Sequence, residues 1–213
     1  MKDLNTRRRR FERLGRVVCE LGFGAWGIGG RFVGKNTPID GGEALLAYLD
    51  AGGDFIDTAL TYGESEKIIG SVLRDFRDAD RIFVATKTKS GETSDTVKKI
   101  RPDLEASLVN LRRDYVDLLY LHMPPEEDEA MDAALAECEA LKREGKIRGI
   151  GASIKGPAVT GATVDLCRKY VDSGRVDVIQ LVYSILRQRN LPAIEHARGK
   201  GMLDRRKIGR AHV

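Results

Sequence analysis

The chain has 213 residues, of which 42% are hydrophobic and 32% charged, enough apolar material for one sizeable core. It has no apolar run of the roughly eighteen residues a membrane span needs, and no basic stretch leading into an apolar secretion segment. The net charge of +4 is confined to the ends: residues 1–16 carry seven basic against two acidic groups, residues 197–213 six against one, and the segment between is acidic. A soluble cytoplasmic protein with no membrane partner is expected. No nucleic-acid partner is expected either, because such a domain would carry its basic groups on a folded face with aromatics between them, and here they sit at the two ends.

Residues 1–16 read as a basic arm, with Arg7 to Arg10 solvated. After it, apolar runs return at a nearly regular interval: Leu21–Ile28, Asp54–Ala59, Arg81–Lys87, Val116–Met123, Ile147–Ser153 and Val176–Ser184. Runs such as Val116–His122 and Val178–Val182 are apolar on both faces rather than alternating, as buried parallel strands require. Between them lie helical segments. Asp40 with Glu43 opens one that stops at Gly52-Gly53; Ile68, Ile69, Val72 and Leu73 share a stripe within Ser65–Arg74. Leu135, Cys138 and Leu141 mark a later helix before Gly145, and Leu166, Cys167, Tyr170 and Val171 another before Gly174. Repeated βα units of this length predict a parallel sheet, either doubly wound or closed as a (β/α)8 barrel. Cys19, Cys138 and Cys167 are odd in number and lack ligand spacing, so they read as buried thiols with no metal site.

In either architecture chemistry belongs at the carboxyl ends of the strands. Asp57 and Tyr62 stand near the end of the second run, Lys87 ends the third, and His122 nearly ends the fourth. Each alone has a plain reading: a helix cap, simple packing, a snorkelling strand end, a satisfied core histidine. Their coincidence at three consecutive strand ends points instead to a site. A lysine ammonium favours the phenolate of a nearby tyrosine, whose hydroxyl ordinarily titrates near about 10. With Asp57 holding that lysine charged, Tyr62 becomes a general acid for a developing alkoxide and His122 can orient the carbonyl oxygen. No nucleophile or metal accompanies the set, so hydride from a nicotinamide cofactor fits best. Another enzyme class stays open in which Lys87 is a Schiff-base nucleophile, although Asp57 beside it favours the ammonium.

Gly22-Phe-Gly24-Ala-Trp-Gly27 matches the dinucleotide fingerprint G-x-G-x-x-G. That fingerprint needs a helix opening inside the glycine run, and the residues after Gly27 read as loop. Gly24, Ala25 and Trp26 are therefore expected to form an open strand end lining a ligand pocket.

Six ordered motifs resemble the aldo-keto reductase family: Glu20 to Trp26, Asp54 to Gly63, Val84 to Lys87, Leu104 to Leu108 with Asp117 to His122, Gly149 to Ser153, and Gln180 to Ser184. The resemblance runs over about residues 14–203. It implies a TIM barrel that binds NADPH, with NADH not excluded, and reduces a small-molecule carbonyl substrate. It also implies Asp57, Tyr62, Lys87 and His122 as a catalytic tetrad, Gly24, Ala25, Trp26 and Asp57 beside the nicotinamide, and Ser153 and Gln180 at its carboxamide. Ile154 departs from the family's usual polar residue after that serine, which is expected to alter cofactor affinity. Relatives also include cofactor-sensing channel subunits, so a non-enzymatic binding protein of the same fold is the alternative reading.

The resemblance further implies that residues 17–206 supply about six of eight βα units, an incomplete barrel. Ile208-Gly-Arg-Ala-His-Val213 resembles one reading frame of a sequencing adapter. Residues 207–213 are accordingly expected to be a non-native tail, with His212 carrying no function and the gene continuing beyond it.

Overall fold

A computed structural model describes residues 8–30, 41–89, 97–154, 161–186 and 188–202. Lys2, Arg7, the Asp40 cap and the tail over 207–213 lie outside the described residues. Two antiparallel strands, β1 (Arg8–Phe11) and β2 (Arg16–Cys19), form a hairpin ahead of a six-stranded sheet. That sheet runs in chain order through β3 (Phe23–Gly24), β4 (Phe55–Asp57), β5 (Phe83–Lys89), β6 (Leu118–His122), β7 (Ile150–Ile154) and β8 (Val178–Leu181). All its pairings are parallel. Helices α1 (Gly41–Asp50), α2 (Ser65–Asp75), α3 (Val97–Leu111), α4 (Asp128–Arg143), α5 (Gly161–Asp172) and α6 (Leu191–Gly199) complete the units. The result is an incomplete (β/α)8 barrel.

The strands start later than their apolar runs because the run ends serve other purposes. Val116 and Ile147 begin their runs, yet they meet each other in an isolated parallel bridge before β6 and β7 start. The first run shrinks most. Glycines at 22, 24 and 27 give it few side chains to pack, so two residues pair as β3 and Gly27–Gly29 turns as a 3-10 helix.

Side chains alternate along each strand and so divide two cores. Outward residues Ile56, Val84, Leu119, Leu121, Ile150, Ala152 and Ile179 pack with the helices. Inward Phe83, Ala85, Leu118, Tyr120 and Val178 form a separate cluster inside the barrel, bordered by Phe55. The hairpin seals its floor. Phe11, Leu14 and Val18 join the inner cluster, and the Phe11 ring lies 5.7 Å from that of Phe55 and 5.2 Å from that of Phe83.

The basic segment therefore differs from the expected solvated arm over its described part. Arg8 pairs with Asp54 at 2.5 Å and Arg9 with Glu20 at 2.7 Å. Arg13 donates to the carbonyls of Val176 at 2.6 Å and Lys200 at 3.2 Å, tying the hairpin to the opposite end of the sheet. Carbonyls and carboxylates distant in sequence give these guanidiniums partners that the charge pattern alone does not reveal.

Three aspartates set the same end of the sheet. Asp54, Asp117 and Asp177 each stand immediately before a strand and accept a backbone N–H from an earlier one: Asp117 from Val84 on β5 at 2.9 Å, Asp177 from Ile150 on β7 at 2.9 Å, and Asp54 from Cys19 at the end of hairpin strand β2 at 2.7 Å. The three cysteines are free and buried. Burial pushes the Cys138 and Cys167 thiols up to about 12, since the interior disfavours a thiolate.

Asp117→Ala leaves the buried Val84 N–H without its acceptor, and urea unfolding is expected to show a loss of about 1–3 kcal/mol. An unchanged unfolding midpoint would show that the carboxylate does not hold the strand. Cys138 and Cys167 are expected to resist alkylation at pH 8 until denaturant is added, as mass spectrometry of the treated protein would record.

Candidate active site

The inner face changes from apolar at the hairpin end to polar at the carboxyl end, two residues at a time. On β4 the inward pair is Phe55 then Asp57, on β5 Phe83, Ala85 and Lys87, and on β6 Leu118, Tyr120 and His122. On β7 it is Gly151 then Ser153, and on β8 Val178 then Gln180. Parallel register lines up three polar members, His122, Ser153 and Gln180, and sets Lys87 opposite Tyr120. Gly24 pairs with Asp57, His122 with Ser153, and Ser153 with Gln180.

Lys87 is the centre of this layer. Its side chain has 0% exposure, against 14% for Asp57. An ammonium taken out of water must recover its lost hydration from fixed partners. Lys87 Nζ donates to Asp57 Oδ1 at 2.7 Å and to the Thr58 carbonyl at 2.6 Å. It also lies 5.0 Å from the centre of the Tyr62 ring and 5.6 Å from that of Tyr120. The Tyr62 and His122 rings stand edge to face, 6.3 Å apart at 85°. Asp57, Tyr62, Lys87 and His122 are thus brought to one end of the barrel.

Tyr62 is held by a chain of local constraints. Its N–H donates to the Ala59 carbonyl at 2.9 Å and its own carbonyl accepts from Ser65 at 3.3 Å, while the Thr58 and Ser65 hydroxyls bond at 2.8 Å. Gly63 turns the chain at φ +62°, a conformation glycine adopts without strain. Against it lies Gly29, where a Cβ would fall 1.7 Å from the Tyr62 carbonyl oxygen. The following helix is pinned to Lys87's strand by Glu66, a buried carboxylate that accepts from Thr86 at 2.6 Å and from Asn110 at 3.2 Å.

Among the cofactor candidates, Ala25 is buried and donates its N–H to the Asp57 carbonyl at 2.9 Å, whereas Gly24 and Trp26 are exposed. No α-helix opens within the glycine run, so the dinucleotide-fingerprint geometry is absent there. Ser153 donates to Gln180 Oε1 at 2.8 Å, which directs the Nε2 hydrogens of that amide away from the serine. Ile154 points the other way, into the helix-side core. Its apolar character meets a packing need there.

Residues 20–202 match the model of the aldo/keto reductase family. The chain belongs to that family. Two of its aldo-keto reductase relatives are the protein YhdN of Bacillus subtilis (strain 168) and the NADH-specific methylglyoxal reductase of Escherichia coli (strain K12). The first is 35% identical over 64% of this chain and 43% of its own length. The second is 32% identical over 80% of this chain and 56% of its own. The chain thus spans about half the length of these curated relatives. Among solved structures, the thermostable aldo-keto reductase Tm1743, crystallised with the inhibitor epalrestat, superposes with a TM-score of 0.75 at 26% identity, covering 92% of this chain and 70% of that one.

Two residues of this layer do not stand out as polar strand ends in the sequence of this aldo-keto reductase family member. Tyr120 counts as core until its period-two relation to His122 is noticed, which puts both on the inner face. Glu66 lies in a helix, and nothing in its neighbours marks it as buried.

Gly29→Ala should lower the melting temperature and perturb the Tyr62 ring resonances, because the new methyl and the Tyr62 carbonyl cannot share that space. Gly24→Ala meets nothing within 4 Å and serves as the control. Equal melting temperatures for the two variants would contradict the close approach.

Proposed function

We propose that this chain carries the reaction centre of an NADPH-dependent reductase that converts an aldehyde or ketone to its alcohol, with Tyr62 as general acid. The observation that carries the proposal is the Lys87 ammonium, buried against Asp57 and lying 5.0 Å from the Tyr62 ring. In a dry site an ammonium stabilises negative charge on a neighbouring phenol far more than it would in water. Tyr62 can then release its proton to a carbonyl oxygen as negative charge develops there.

His122 faces Tyr62 across the layer and is proposed to orient the same oxygen, so that two hydrogen-bonding groups converge on one point. Asp57 and the Thr58 carbonyl hold Lys87 as an ammonium. This binding disfavours the neutral amine that a Schiff-base mechanism needs.

The donor set fits a nicotinamide. Gln180, its amide orientation set by Ser153, offers both a donor and an acceptor for a carboxamide, and Gly24, Ala25 and Trp26 would border the ring. When bound, the reduced nicotinamide supplies the hydride that the protein's own groups lack. NADPH is the proposed form, and NADH remains the alternative because one relative is NADH-specific. Two relatives are named as methylglyoxal reductases, so a small 2-oxoaldehyde is the natural first substrate to test.

Tyr62→Phe keeps the ring and removes the acid. Turnover of methylglyoxal, followed by loss of NADPH absorbance, should fall by about 10²–10⁴-fold with KM little changed. Near-parental turnover in that variant would sink the assignment of Tyr62.

A further inference from the structure

We infer that Tyr120 is a positioning residue for Lys87: its ring face takes one side of the buried ammonium and helps keep it charged. The inference rests on the reading of Lys87 as the charged partner of Tyr62, and it extends that reading to a residue outside the four at the strand ends.

The groups facing Lys87 come from three places. Asp57 on β4 contributes a carboxylate at 2.7 Å, the segment after β4 contributes the Thr58 carbonyl and the Tyr62 ring, and β6 contributes the Tyr120 ring, while His122 further along β6 stands against the Tyr62 ring. Beside its hydrogen bonds to Asp57 and Thr58, the ammonium thus meets aromatic rings. An aromatic face within about 6 Å of a cation attracts it, and the attraction grows when water is excluded. Tyr120 lies at 5.6 Å, is 2% exposed, and is the register partner of Lys87 across the β5–β6 ladder.

The fold reserves space for that ring. On the next strand Gly151 is the register partner of Tyr120, and a Cβ there would lie 2.4 Å from Tyr120 Cδ1. Glycine on β7 thus lets the ring lean across the interior, with Leu118 and Val178 below it in the inner cluster. A leucine at 120 would fill much of this volume while offering the ammonium no electron-rich face. Phenylalanine would keep the face and lose only the hydroxyl.

The test is the titration of Lys87 itself, read from its 13Cε resonance in the 13C-lysine-labelled chain and assigned by the loss of that peak in Lys87→Met. Tyr120→Phe should titrate within a few tenths of a pH unit of the parent. Tyr120→Leu should titrate about one unit lower, because removing the face destabilises the charged form only. Tyr120→Met, a second variant without a ring, should match Tyr120→Leu and guards against one of them failing to fold. Parental midpoints in the folded ringless variants would overturn the inference, as would an equal fall in Tyr120→Phe. The titration requires no turnover, so failure of the Tyr62→Phe kinetic test would remove the functional reading and leave this measurement decisive for Tyr120.

Discussion

A buried ammonium is the constraint around which the carboxyl end of this barrel is arranged. Lys87 has no exposure to water, and an unpaired charge in that position would be strongly destabilising. Each neighbouring element answers the need with a different group: a carboxylate from β4, a backbone carbonyl just after it, and aromatic faces from the Tyr62 turn and from β6. These same groups compose the candidate site. Satisfying the lysine therefore also fixes Asp57 and draws Tyr62 toward the layer of His122.

The opposite end of the sheet supplies the rigidity this arrangement needs. Aromatic and aliphatic side chains of the hairpin fill the floor, and aspartates before alternate strands accept backbone amides, Asp54 from the hairpin and Asp117 and Asp177 from the neighbouring strand. Outside the barrel, Glu66 joins the helix that follows Tyr62 to the strand that bears Lys87. The side chains that face outward from β5, Thr86 among them, thus secure the position of the one that faces inward.

Much of this was legible in the order of residues. The apolar runs recur at βα spacing, and their carboxyl ends carry Asp57, Lys87 and His122, so a parallel α/β sheet with a polar end could be read directly. The glycine run was also readable, because a loop-forming stretch after Gly27 cannot open the helix that a dinucleotide fingerprint requires. Other features depend on contacts distant in sequence. Arg13 finds carbonyls at Val176 and Lys200, which no local pattern announces, and a cluster of arginines read locally as solvated. Ile154 reads as an apolar departure beside a polar position, and only the pleat shows that it packs on the helix side. Tyr120 and Gly151 make sense only as a pair across two strands, with the glycine yielding space that the ring occupies.

The claim that joins these observations is that the layer around Lys87 performs hydride reduction of a carbonyl group with a nicotinamide cofactor. Its most direct test is isotopic: incubate the protein with methylglyoxal and NADPH carrying deuterium at both C4 positions, then weigh the product. The account requires an alcohol containing one cofactor-derived deuterium. An unlabelled product, or a substrate adduct on Lys87 fixed by borohydride, would contradict it.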